Sequence, residues 1–242
     1  MTATTPTHRD GPMAFVDSVD SPVLDDDDRH HFQRVLRVRE GSPMVVCDGA
    51  GSWRRATFGE SISVVGDVEV IDPPTPTITV AFALVKGDRP EFVVQKLTEL
   101  GVDTIVPMTT EHCVVRWDER KAHRQRERFA RISREAAMQC RRTHLPRVGP
   151  VTAFAELIVG SSAPGAGRLL LADPDGGSVG QMISEGTAGE PLTVLVGPEG
   201  GWSDAEKNAG LRQLRIADHI LRAETASLAA AVLLTAHRSQ HS

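Results

Sequence analysis

The chain has no tyrosine among its 242 residues, and aromatics of all kinds make up only 4% of it. Broad platforms for stacking nucleic-acid bases are therefore not expected. Nor is there a long apolar run. The longest, SLAAAVLLTA, is about half of the roughly 20 residues that a membrane-spanning helix needs. The opening MTATTPTHRDGP lacks the apolar centre of a secretory signal, so a cytoplasmic protein with no membrane partner is expected. The three cysteines, Cys47, Cys113 and Cys140, are odd in number and scattered. That excludes a disulfide framework and a zinc site built from paired ligands. Reduced thiols and no metal are the expectation. What is present is ordinary for a globular chain: 40% apolar and 24% charged residues, enough for one large domain or for a small and a medium one.

Negative charge prevails overall, at −5, but it is unevenly spread. Between Arg116 and Arg147 eleven Lys and Arg face four Asp and Glu, a local excess of seven, so the remainder is about twelve units negative. A basic stripe on an acidic body is the electrostatic footprint of a phosphate-bearing partner. The other reading of the stripe is a solvated helix face with a few i,i+4 pairs, such as Glu127 with Arg131.

Val70–Ile78 (VIDPPTPTI) carries three prolines in four positions and marks a stiff, extended connection. Before it, PMAFVD, PMVVCDG, WRRATFG and SISVVGDVEVI are short β-prone runs parted by Gly and Ser, as in a small barrel. A helix is expected from about Asp26 to Arg37, with Gly41 ending the turn after it and His30, His31, Arg34 and Arg37 near one another on its surface. Beyond the prolines the pattern alternates. TITVAFALV, VDTIVPM, RLLLAD and LTVLVG read as strands. RPEFVVQKLTELG reads as a helix with Pro90 in its first turn, Phe92, Val93, Leu97 and Leu100 inward, and Gly101 as its stop. The basic stripe supplies a long helix with Phe129, Ile132, Ala136 and Ala137 inward, and SSAPGAG reads as a flexible surface loop. The class is α/β, a mostly parallel sheet covered by helices.

In such sheets ligands bind at the carboxyl ends of strands. Three loops qualify: ADPDGG, GPEGG and LRAETAS. In GPEGGWSDAE, glycines permit close backbone approach, and Ser203 with Glu206 forms a capping box that opens a helix. Neither common phosphate-cradle motif is present, and Glu199 inside the loop would repel a pyrophosphate. The loop better suits a ligand with hydroxyls and a positive centre, such as S-adenosylmethionine. Arg222, Glu224 and Thr225 form a polar cluster between two apolar runs, and a charged cluster so placed marks a site or an ion pair. Ala226, Ala229, Ala230 and Leu233 are expected to pack closely against a neighbouring element.

LVGPEGGWSDAE followed by LRAETAS closely resembles the SPOUT class of S-adenosylmethionine-dependent RNA methyltransferases, and within it the ribosomal RNA small-subunit methyltransferase E family. HHFQRVLRVREGSPMVVCDGAG, KGDRPEFVVQKLTELGVDTIVPM and REAAMQCRR extend the likeness over nearly the whole chain. The resemblance implies a PUA-like RNA-binding barrel over residues 1–72, a linker over 73–77 and a SPOUT domain with a trefoil knot over 78–242. It also implies a homodimer that methylates N3 of a uridine in small-subunit rRNA, free or within the assembled subunit. Carried over by position, the donor would be held by Leu171, Ala172, Val196, Gly197, Pro198, Glu199, Gly200, Gly201, Ile220, Leu221, Arg222, Thr225 and Ala226. In that chemistry Arg222 stabilises charge on the base, and Glu199 or Glu224 is base or orienting group; an ion pair with Arg222 or a backbone cap is the other reading of both acids. Arg34, Arg37, Arg54, Arg55, Arg141 and Arg142 would hold the RNA backbone. Two alternatives are a different rRNA or tRNA acceptor on the same donor site, and an RNA-binding assembly factor without activity.

Overall fold

The computed structural model describes residues 4–161, 165, 167–180 and 189–240, so most of the loop expected at SSAPGAG lies outside the described residues. The chain divides into two compact units. One holds the chain up to Pro73 together with Arg134–Leu145, and the other holds Pro74–Ser133 and Pro146–Ser242.

The first unit is built on a sheet of β1 (Met13–Phe15), β2 (Pro43–Cys47), β3 (Ser52–Thr57) and β4 (Ser63–Val70), in that order. β1 runs parallel to β2, while β2, β3 and β4 are antiparallel neighbours. Strand β2 is apolar at successive positions because both its faces are covered. Met44 and Val46 pack with Phe32, Ala56 and Phe58, whereas Val45 and Cys47 pack with Met13, Trp53 and Ala137. Helix α1 (Asp26–His30) starts at Asp25, whose carboxylate accepts from the Asp28 amide at 2.7 Å. The coil then widens into a π-turn over His31–Val35. The expected helix therefore stops short of Arg37, which takes a left-handed φ of 53°. Buried Asp28 is gripped by Arg134 at 2.8 and 2.5 Å, and the same guanidinium donates to the Phe15 carbonyl at 3.0 Å. Cys47 is a buried free thiol, pushed up to about 11 by burial.

Asp10 accepts from the amide and hydroxyl of Thr7 and from Arg55, each at 2.8 Å. These bonds, the Thr7 amide foremost, hold its carboxyl at about 2, below the ordinary 3.8. A lowered carboxylate pKa adds stability that is whole above the unfolded value and vanishes as pH falls through the folded one. Asp10→Asn is therefore expected to lower the thermal midpoint at neutral pH, and its difference from wild type should close between 3.8 and about 2. A gap that persists unchanged at the acid end would refute this assignment.

The second unit is an all-parallel sheet in the order β11-β9-β10-β5-β6-β7, with β8 also on β6. Its strands are β5 (Ile78–Ala83), β6 (Thr104–Thr109), β7 (Arg147–Val148), β8 (Thr152–Ala153), β9 (Arg168–Ser178), β10 (Leu192–Val196) and β11 (Arg212–Arg215). The helices are α2 (Arg89–Glu99), α3 (Glu119–Cys140), α4 (Phe154–Ser161), a single turn α5 (Asp204–Lys207) and α6 (Ala223–Gln240). Helix α3 passes from this unit into the first at Arg134.

The central strands are buried on both sides, which is why they read as unbroken apolar runs. Val80 and Phe82 meet Val93, Leu97, Ala230, Ala231 and Leu234, while Ala81 and Ala83 meet Phe154 and Trp202. Two inward assignments differ from expectation. Phe92 is exposed and Val94 is buried instead. On α6 the buried line is Ala223, Ser227, Ala230, Ala231 and Leu234, leaving Ala226, Ala229 and Leu233 half-buried. Over residues 228–234 that helix is apolar at every position, so its periodicity does not select a face.

Candidate active site

Leu195 is registered with Leu171, and Val196 with Ala172 on one side and Phe82 on the other, so the carboxyl ends of β5 and β10 lie level with the middle of β9. Beyond β10, Pro198 to Gly201 form a turn closed by the Gly201 amide on the Pro198 carbonyl at 2.9 Å, with Gly201 at φ 70°. Ser203 and Glu206 form the expected reciprocal cap, at 2.9 and 3.3 Å, and start α5. The Trp202 indole N–H donates to the Ala172 carbonyl at 2.8 Å, fastening the turn to β9. A Cβ on Gly197 would come within 2.9 Å of the Trp202 ring, so only glycine fits there. His112 Nδ1 lies 3.1 and 3.2 Å from the carbonyls of Gly200 and Gly201, supporting the turn from beneath.

Not every loop expected at a strand's carboxyl end is a loop. ADPDGG lies inside β9, where pairing with β11 jumps from Leu171 to Gly177. Gly176 sits so close to the Gln213 backbone that a Cβ would approach within 2.6 Å. Asp173, buried in the bulge, holds Lys207 at 3.0 Å and raises its pKa. No strand leads into LRAETAS either. β11 ends at Arg215, and residues 216–222 form an irregular connection in which Ile220 is 87% exposed.

The charged residues converge around a guanidinium that the sequence reading left out. Arg89 Nη1 is 2.9 Å from Glu199 and 3.8 Å from Glu224. Glu199 is half exposed, whereas the Glu224 side chain is only 16% exposed. Glu224 Oε2 is buried and accepts no hydrogen bond. Arg222 does not supply the ion pair that was the alternative reading of the two acids. Its side chain is exposed, and its carbonyl accepts from the Ala226 amide at 2.8 Å, which opens α6. The signal for Arg89 was present in KGDRPE, which follows the carboxyl end of β5 just as GPEGG follows β10.

A model of an RNA methyltransferase domain matches residues 73–235, and one of an RNA methyltransferase PUA domain matches residues 24–63. The ribosomal RNA small subunit methyltransferase E of Mycobacterium tuberculosis is 30% identical over 220 residues, covering 86% of this chain and 83% of the relative. The chain belongs to this methyltransferase family. The Bacillus subtilis protein of the same name is 29% identical over 82% of this chain and 83% of its own. A crystal structure of the Neisseria gonorrhoeae family member bound to S-adenosyl methionine superposes with a TM-score of 0.76 at 27% identity, covering 93% of this chain and 97% of that one. The probable rRNA methyltransferase of Porphyromonas gingivalis gives 0.78 at 28%, covering 96% and 100%.

The residues of this RNA methyltransferase fit S-adenosylmethionine. A buried, unsatisfied carboxylate oxygen on Glu224 calls for a donor or a positive centre from a ligand. Glu199 on the glycine-rich turn shares Arg89 with Glu224, and that turn carries an acid where a phosphate cradle would carry bare amides. In the first unit, Arg34 and Arg37 are exposed. Arg54 is bonded to Asp20 at 3.1 Å and to the Gly66 carbonyl at 2.7 Å, and Arg55 is paired with Asp10, so both are partly committed within the unit. Arg141, at φ 64°, keeps one buried Nη1 without a partner, and half-burial lowers its pKa. Arg142 is half-buried. A separate open cleft of about 450 Å³ in the second unit is lined by Thr110, Arg116, Phe154, Ile158 and Glu206, and no residue of the donor loops borders it.

Proposed function

We propose that this methyltransferase transfers a methyl group from S-adenosylmethionine to N3 of a uridine in small-subunit rRNA, as a cytoplasmic homodimer with a knotted C-terminal domain. The observation that carries the reading is the buried Glu224 Oε2, an acceptor left open beside the glycine-rich turn at the edge of the parallel sheet. Family membership and the basic run from Arg116 to Arg147 support rRNA as the acceptor.

When bound, S-adenosylmethionine supplies an electrophilic methyl on a sulfonium centre. The chain's own residues align and deprotonate the acceptor. Glu224 Oε2 takes the N3 proton, the one proton on the reacting nitrogen. The Arg222 guanidinium faces the uracil carbonyl oxygens and stabilises the charge that deprotonation spreads onto them. Glu199, held by Arg89, forms the outer wall of the donor turn. Arg34, Arg37, Arg141 and Arg142 hold phosphates of the RNA, and Arg54 and Arg55 add to them where their acidic partners release them.

Labelled donor offered to purified small subunits from methylation-deficient cells should give 3-methyluridine on mapping. Label in another base or a ribose would move the reading to a different acceptor, and absence of donor binding would leave an assembly factor. Arg222→Ala is expected to lower kcat by about tenfold, the exposed position giving less than an enclosed oxyanion donor. Donor Kd should stay within about twofold. Equal losses in both would make Arg222 a binding residue.

A further inference from the structure

Arg89 takes no part in the proton transfer, yet among the described residues it is the one cation paired with both acids at the donor edge. Its Nη1 lies 2.9 Å from Glu199 Oε1 and 3.8 Å from Glu224 Oε1. Two carboxylates and one guanidinium leave this triad with a single net negative charge. The donor carries a positive sulfonium, whereas the product that remains after methyl loss is a neutral thioether. Charge at that sulfur is thus the chief difference between what must bind and what must leave.

We propose that Arg89 trims the charge of the donor pocket to a single negative unit, which keeps both acids in place and still holds the cationic donor more tightly than the neutral product. With no Arg89 the triad would be doubly negative. It would attract the sulfonium more strongly, but the two acids would repel one another and splay. With no Arg89 and no Glu199 the lone Glu224 charge would remain. The observed triad keeps both acids in place and one charge in excess. Solvent reaches this group unequally. Glu199 and Arg89 are 49% and 41% exposed, so their share of the selectivity is screened by salt, while the share from Glu224, at 16%, resists screening.

This inference rests on the methyl-donor reading, and calorimetry on the full chain separates the two. The probes are S-adenosylmethionine and S-adenosylhomocysteine, each titrated without RNA. If wild type binds neither, the donor reading itself fails. If it binds both, the ratio of the two dissociation constants is the readout. Glu199→Gln neutralises the triad and should shift the ratio towards the product by about tenfold at low salt. Arg89→Met should shift it towards the donor by a similar factor. Arg89→Lys keeps the charge and should keep the wild-type ratio. A purely structural Arg89 would weaken both ligands by one common factor, and an unchanged ratio in Glu199→Gln and Arg89→Met overturns the proposal. Should Arg89→Met fail to fold, Glu199→Gln decides alone, since it alters a half-exposed side chain on a surface turn.

Discussion

Glu224→Gln is expected to slow single-turnover methylation by about 1,000-fold, within the range for loss of a positioned general base. Donor affinity should fall by no more than about tenfold, the part owed to the lost charge. The asymmetry follows from where the side chain sits. Oε1 faces Arg89, and glutamine can still present an oxygen there. Oε2 is buried without a donor, a state that costs about 1–3 kcal/mol until a ligand N–H fills it. An amide placed at that point presents its own N–H to the proton that must leave, and it has no capacity to accept charge. Rapid-quench measurement with saturating donor and RNA, alongside calorimetry, separates the two effects. A variant with the wild-type rate would remove Glu224 from the chemistry and leave it as a wall of the pocket.

Asp28→Ala is expected to lower the stability of the first unit by about 3 kcal/mol, the size associated with breaking one side of a buried ion pair. Asp28 is 5% exposed and accepts both arms of the Arg134 guanidinium. Its removal would leave that cation with the Phe15 carbonyl, the Met138 sulfur and the exposed Asp25 carboxylate 4.0 Å away. Denaturation followed through Trp53, which is fully buried in the same unit, reads the loss. Pairing Asp28→Leu with Arg134→Met should recover most of it, because the cost lies in the stranded charge. A loss below about 1 kcal/mol would place the pair with exposed salt bridges and refute its structural role.

The long elements were legible because their patterns are physically unambiguous. TITVAFALV and LTVLVG carry the apolar continuity of strands buried on two faces, and Ser203 with Glu206 capped a helix where the pair predicted one. Short or edge pieces such as β7, β8 and β11 bury too little to imprint a pattern. The unbroken apolar run in the middle of α6 hid which face turns inward. The acids of the site were found from their odd placement among glycines and apolar runs. Their partner was not legible because ion pairing depends on how distant segments meet. Arg222 is close to Glu224 in sequence, but Arg89 is close to it in space. Arg134 shows the same limit: nothing local ties a residue in the basic stripe to an aspartate 106 positions earlier.

The seam between Trp202 and Ala172 also makes the molecule its own reporter. With no tyrosine, its ultraviolet emission comes from Trp53, Trp117 and Trp202 alone. Phenylalanine at the first two positions would leave a single fluorophore, hydrogen-bonded to β9 and pressed against Gly197. Any ligand that shifts the glycine turn must disturb that indole, so donor occupancy can be followed optically, without label, in the dark background that the missing tyrosines provide.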